Sequence, residues 1–572
     1  MADHHQRTRQ LRPSTRLLAR LGLCLVAAAI ISLPLALERG VERTQIRDSI
    51  GLVPARLALT GSSDSELRLG LLGTIRFPVS RGPIGMSVIA DGPPTSPDGG
   101  HGIASYVSPQ MLQVYGGLFH DPGKAIRGYV DQLGDELQRQ VLLAEVFYSL
   151  VGAGVLMVAT YLVDPGLVDR LVARPWRTTG LGVTVGLLAS AGVAYVGFLQ
   201  WAAASGDVSS VAYPLPSLDG TPAEGAVTDS PVLRLAIEDA VPKIESLVDR
   251  QELRTRAYTA AAAAQLRALQ RDMAAPRAGE LAVMMQSDMH CNATMIALQR
   301  RVVELLDARY GQDTVSLLAI SGDLSTNGTA AEGGCVADEA AVVGGAPVAA
   351  VTGNHDSETT VRQMKTAGMK VLTGSTETLA GTRVLGAGDP NRTEMFGPTA
   401  PRGDQTEESV GAATYRTAVA DHPDLVLLHE GYAVQSFLGS GVSDMRAFLD
   451  QRGSPTRWWA DDVRDLPTGA VFYGHWHRDV PPRVVWNSDG SWTLVMELNT
   501  SGGAIASPTL NHFSTPWSQP QQLASFPMVF RSRDSGLVTG YQLYSFDPDG
   551  TVRISPRIDV GDPGGRAVPP GR

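Results

Sequence analysis

The sequence predicts an α/β protein anchored in a membrane. Three long apolar runs fall in its first 203 residues, and beyond residue 280 short apolar strand candidates alternate with helical patterns. In that second half, histidines and carboxylates gather at the ends of the strand candidates. At 572 residues with a net charge of −10, the chain is long enough for about three or four units, and it lacks the basic stripe of a polynucleotide binder. Lysine is confined to Lys124, Lys243, Lys365 and Lys370.

The first apolar run, 17–37, has the roughly 20 residues a bilayer core requires. Arg7, Arg9, Arg12 and Arg16 precede it and predict a cytoplasmic stretch 1–16, with Arg20 near enough to the edge to snorkel. A cleaved signal peptide is the competing reading. The run is long for that, and Leu-Ala-Leu-Glu at 35–38 is a poor cleavage site. A second run covers 142–163 and a third 181–203, joined by a loop, 164–180, whose Arg170, Arg174 and Arg177 are a cytoplasmic signature. This topology is multi-pass in the cell membrane and places 38–141 and everything after about 204 outside the cytoplasm.

The insert 38–141 reads as a small α+β domain, with strand-like pieces at 55–59 and 85–90 and helical spacing over 122–140. His101 and His120 have no acidic or histidine partner near them in sequence. Residues 204–275 read as a Gly/Ser/Pro-rich linker and an alanine-rich helical connector containing Pro242. A final domain, 276–572, begins with the apolar piece 281–285 and continues with strand candidates at 315–320, 347–351, 425–428 and 470–473. Its tail, about 481–560, is mainly β-like.

Each strand candidate delivers polar groups at its end. The first is followed by Ser287-Asp288-Met289-His290, the second by Ser321-Gly322-Asp323, and the third by Thr352-Gly353-Asn354-His355-Asp356. The run at 425–428 leads into His429-Glu430, and 470–473 into Gly474-His475-Trp476-His477. Five of the eleven histidines lie in these turns. Carboxylates, imidazoles and a carboxamide suit borderline divalent ions such as Mn, Fe or Zn.

In this ordered set, residues 280–500 resemble the calcineurin-like metallophosphoesterase family, whose blocks are Asp-x-His, Gly-Asp, Gly-Asn-His-Asp/Glu, His and Gly-His-x-His. The resemblance implies a four-layer α/β/β/α sandwich holding two divalent ions. Asp288, His290 and His477 would hold one ion, Asn354, His429 and His475 the other, and Asp323 would bridge them. It implies a phosphoester hydrolase, a phosphodiesterase by preference, in which a bridging hydroxide attacks phosphorus. His355 would serve the leaving oxygen and Asp356 would orient His355. Where many members carry an acidic residue three after the bridging aspartate, this chain has Thr326. His422 competes with His429 for the fourth block, but only His429 ends an apolar run.

Cys291 follows His290 and Cys335 lies beyond the Asp323 turn, so an extracytoplasmic location permits a disulfide between them; two free thiols are the alternative. Arg392 can be read as a phosphate partner or as part of a surface turn, and the amides of 499–503 as lining the site. Membrane attachment points to an envelope substrate, such as a phospholipid, a lipid-linked nucleotide or a wall polymer. A metal-binding receptor or assembly scaffold without hydrolytic activity is the rival function.

Overall fold

The computed structural model describes residues 13–50, 53–60, 65–69, 73–77, 85–90, 122–163, 165, 192, 212–219, 223–393, 399–439, 442–450, 458–459, 463–504 and 519–561. The third apolar run (save residue 192), most of the loop before it, and His101 and His120 lie outside these. The chain divides into two compact units: Met1–Pro93 with Tyr129–Pro242, and Pro94–Gly128 with Lys243–Arg572.

In the first unit, two helices, Pro13–Arg43 and Pro122–Val163, are long and apolar enough to cross a membrane. The helical spacing of 122–140 and the apolar run after it form one continuous helix. Most apolar side chains of these spans face outward, Leu150, Leu162 and Val163 among them, as expected for lipid contact. The seam between the helices is small and polar instead. Ala28 meets Gly152, and Ser32 and Ser149 both donate to Glu145 Oε1, at 2.9 and 3.0 Å. The Arg20 guanidinium donates to the Pro165 carbonyl at 2.7 Å, two residues past the end of the second helix.

The insert contributes five strands to a seven-stranded sheet, with Leu57 opposite Val88 in its core. The other two, Tyr213–Pro214 and Val227–Thr228, come from the stretch whose composition reads as a linker. Val227–Thr228 pairs with Thr74–Phe77, so its polar residues serve a sheet edge and its turns.

The second unit carries two mixed sheets. In the first, β1 (Glu280–Gln286), β2 (Val315–Ile320) and β3 (Val348–Ala350) run parallel. The second has β4 (Thr382–Gly386), β5 (Leu425–Leu427), β6 (Ala470–Tyr473) and β7 (Trp492–Glu497), also parallel. The expected β tail supplies β8 (Ala524–Ser532), antiparallel to β1, and β9 (Val538–Phe546) beside it. Every residue of β1 is buried, which is why its sequence is an apolar run without alternation.

Alternate side chains of these strands enter different cores. Ala282 and Met284 pack with α1 (Ala293–Tyr310) through Met295, Leu298 and Val302, and with Tyr258, Ala262 and Leu266 of the connector helix Pro231–Ala268. Val283 and Met285 share a core with Leu425, Leu427, Ala470 and Phe472 of the other sheet. Val426 and Val471 face a third cluster with Val434 and Phe437 of the helix Gly431–Leu438.

One buried carboxyl lies outside the strand-end turns. Glu339, on α2 (Gly333–Ala340), is fully buried, and burial pushes it up to about 8 despite its side-chain neighbour Gln286. Both its oxygens and Gln286 Oε1 lie buried without a donor. A proton on Glu339 removes the buried charge; beside it, Gln286 Nε2 donates to Gln299, and Gln299 Nε2 to the Ser501 carbonyl at 3.3 Å. The unfolded chain loses this proton near 4.5 and the folded one near 8, so stability falls as pH rises between those values and is level beyond them. Glu339→Gln is expected to raise the melting temperature at pH 7 and above, by a stabilisation on the order of 3 kcal/mol less the cost of an unpaired amide hydrogen. The advantage should vanish near pH 4.5; a difference independent of pH in thermal melts would contradict a buried acid.

Candidate metal centre

Parallel strands bring their carboxyl ends to the same edge, and the turns that leave those ends hold the polar groups. Asp288 and His290 follow β1, Asp323 follows β2, Asn354 follows β3, His429 follows β5, and His475 and His477 follow β6. The structure gathers them into two groups able to hold a metal ion, Asp288–His290–His477 and Asp323–His429–His475. His477 Nε2 stands 3.0 Å from Asp288 Oδ1 and 3.3 Å from His290 Nε2. Asn354 Oδ1 lies 3.0 Å from both His429 Nε2 and His475 Nδ1. Asp323 Oδ2 lies between the groups, 3.3 Å from His429 Nε2 and 3.9 Å from His290 Nε2. All seven expected ligands therefore converge.

The backbone is bent to achieve this. Asp288, His290, Asp323, His475 and His477 all have positive φ, between 46 and 73°, a region that costs an L-residue on the order of 1–3 kcal/mol. Such a conformation turns a side chain away from the strand's two faces and into the space between the turns. The motif glycines have a separate cause, close approach. A Cβ on Gly474 would fall on Ser287 Oγ and an Asp288 carboxylate oxygen, and one on Gly353 would fall on Asp323. Trp476 points the other way and packs on Gly431 and Tyr473.

The donor set fits a cation. His429 Nδ1 lies 2.8 Å from the Ser321 carbonyl and His477 Nδ1 2.7 Å from that of Ala504. A carbonyl only accepts, so each Nδ1 carries hydrogen, and each ring turns its Nε2 towards carboxylate or carboxamide oxygens. Between such groups only something positive fits, a proton on Nε2 or a cation in its place. Burial holds His290 down to about 3 and His475 down to about 4, keeping both as neutral donors. Burial opposes charge on His429 and His477 too, but the carboxylates of Asp323 and Asp288 outweigh it and raise both, so a bound cation would displace protons there. Asp288 is itself held near 2, because His477 outweighs the burial that opposes its ionisation.

Neither protein-family models nor curated proteins match this chain.

Several expected roles change. Asp356 does not orient His355. Its carboxylate accepts the backbone N–H groups of Gly353 and Ser325, both at 2.9 Å, and the Ser325 hydroxyl at 2.8 Å. Burial, with Asp323 nearby, raises its pKa, and those bonds oppose the shift. The partner of His355 is the Thr326 carbonyl, 2.9 Å from Nδ1, because the turn after Asp323 reaches the ring while Asp356 is buried beneath the backbone. Thr326 also donates its hydroxyl to the His290 carbonyl at 2.8 Å. Arg392 does not wait for phosphate; it donates to the carbonyls of Asn354 and Asn327. The amides of Ser501 and Gly502 are spent on the carbonyls of Ser287 and Asp288. His422 is the left-handed C-cap of the helix Glu407–Asp421 and is absent from both metal groups. Cys291 and Cys335 are joined in a disulfide.

Asp389 is a further carboxyl at a strand end. It follows β4, is buried, and burial pushes it up to about 6 against the pull of His429. Its signal in the sequence is the Gly-Ala-Gly-Asp run after an apolar piece.

Proposed function

We propose that this protein is a membrane-anchored phosphoric ester hydrolase dependent on two divalent metal ions. The observation that carries the reading is Asp323, whose Oδ2 stands between two groups of imidazole donors while its Oδ1 accepts the His355 N–H at 2.8 Å. Two ions held there would supply charge neutralisation for phosphoryl oxygens and a more acidic water. Asp288, His290, Asp323, Asn354, His429, His475 and His477 bind them. With Nδ1 fixed on Thr326, His355 has Nε2 to hold or hand over a proton at the leaving oxygen. Three cores separated by two sheets support a four-layer α/β/β/α sandwich, as in the calcineurin-like metallophosphoesterases that the strand-end motifs resemble.

Strand pairing supports the multi-pass topology. Thr74–Phe77 and Val227–Thr228 share a sheet, so they lie on one side of the membrane. The span within Tyr129–Val163 makes one crossing between them, and parity requires another before residue 212. The apolar stretch 181–203 is the segment whose composition supplies it. With arginines marking the cytoplasmic side, the hydrolase domain faces outward, where an envelope phosphoester is the substrate.

The full-length protein in detergent should hydrolyse paired aryl mono- and diester phosphates with Mn and lose that activity on chelation. Tight metal binding with no hydrolysis of either ester would overturn the enzyme reading in favour of a receptor or scaffold.

A further inference from the structure

We propose that Arg402 is a positioning residue for the metal centre, clamping the turn that presents Asn354 and His355; this rests on the hydrolase reading only where turnover is measured. Arg402 follows a two-stranded ribbon, Asn391–Thr393 paired with Thr399–Pro401. Its Nη2 donates to the carbonyls of both Gly353, at 2.7 Å, and Asp356, at 2.5 Å. Its Nε donates to the Asn391 carbonyl at 2.8 Å. One guanidinium thus ties together the first and last carbonyls of the four-residue turn and fastens them to the ribbon.

Of the carbonyls between, that of Asn354 accepts the Thr393 N–H at 2.8 Å and Arg392 Nη1 at 3.2 Å. Three of the four carbonyls of the turn are thus engaged from outside it, so its conformation is imposed by tertiary contacts. What the clamp holds in place is chemical. The Asn354 Oδ1 that meets His429 and His475 projects from this turn, as does the His355 N–H that meets Asp323. Both contacts are short and directional, and misplacing a catalytic group by about 1 Å can cost about 100-fold in rate.

Lysine cannot replace this geometry, because a single ammonium has no planar fork to reach three carbonyls. Glutamine keeps a single –NH2 on a shorter side chain, with two N–H donors for the three carbonyls. The test uses the full-length protein in detergent with Arg402→Gln, Arg402→Lys and Arg402→Ala. It reads amide hydrogen exchange at residues 353–356, Mn affinity by titration, and kcat and KM on an aryl phosphate. In Arg402→Ala, exchange at the turn should quicken about 10-fold or more while the amides of β1 and β2 stay protected. Affinity for one of the two ions should fall about 10- to 100-fold, as on losing a group that orients a ligand. The rate constant kcat should fall about 100-fold with KM within about 3-fold, and Arg402→Gln should lie between Arg402→Ala and the wild type.

Unchanged exchange at 353–356 together with unchanged Mn affinity overturns the clamp, whatever the activity. If Arg402→Ala does not fold, the same two readouts on Arg402→Gln and Arg402→Lys decide. A wild type that binds Mn without hydrolysing esters removes the proposed function but leaves both readouts intact, so the two failures are distinguishable.

Discussion

Asp323→Asn is expected to lose tight binding of the metal pair and to reduce ester hydrolysis by at least about three orders of magnitude. The carboxylate is fully buried, and the charges of His429 and His355 outweigh the burial that opposes ionisation, holding it well below the usual range. Its Oδ2 is shared between the two imidazole groups, so no other side chain brings negative charge to both. An asparagine keeps the shape and can accept from the His355 N–H, but it halves the carboxylate count of the two groups from two to one. The metal-free variant should melt below metal-free wild type at neutral pH, since a carboxylate with a depressed pKa stabilises the native state and its loss leaves His429 without its partner. What should disappear is the rise in melting temperature that added Mn gives the wild type, the sign of a ligand that binds only the native state. Two tightly held ions and an unchanged rate in Asp323→Asn would remove Asp323 from the bridging role.

Replacing both Cys291 and Cys335 by alanine is expected to destabilise the protein by up to about 4 kcal/mol. The bridge closes a loop of sequence separation 44, with Cα atoms 5.5 Å apart, and loop-closure entropy gives that order of magnitude. Cys291 also follows His290 directly, and both residues have positive φ, so the bridge fastens the backbone next to an imidazole of one candidate metal group. Reductant should shift the denaturation midpoint of the wild type and leave the double variant unmoved. Native protein isolated from the membrane should show one free thiol, the buried Cys24. Three free thiols in that preparation would rule out the bridge and weaken the outward topology, because such bonds persist in oxidising compartments.

The strand-end turns are legible in the sequence because their signal is local. An apolar run of four to seven residues that ends in Asp, Asn or His reads as a strand delivering a polar side chain to the turn, and the β1, β2, β3, β5 and β6 ends all do so. The helices of the first unit are legible for the same reason, since length and composition alone decide whether a segment can span a bilayer. Local pattern misled where a polar stretch was completed by a distant partner. Residues 213–228 have the composition of a linker, yet their hydrogen bonds go to a sheet edge some 150 residues earlier in the chain.

The sequence by itself determined which residue types stand at the strand ends, and hence that a cation is what they can hold together. Only the tertiary structure decided how they meet. Asp288 faces His477 across 189 residues because the two sheets pack on each other through a shared core that sets the ends of β1 and β6 side by side, and no local pattern encodes that packing. Five residues of the candidate metal groups reach inward through left-handed backbone, a conformation that an L-residue adopts only when surrounding contacts impose it. The same holds for Thr326 displacing Asp356 as the partner of His355, and for Arg402 reaching back 46 residues to Asp356. Hydrophobic periodicity is written in neighbouring residues, whereas the direction of a polar side chain after a turn is fixed by whatever the completed fold packs against it.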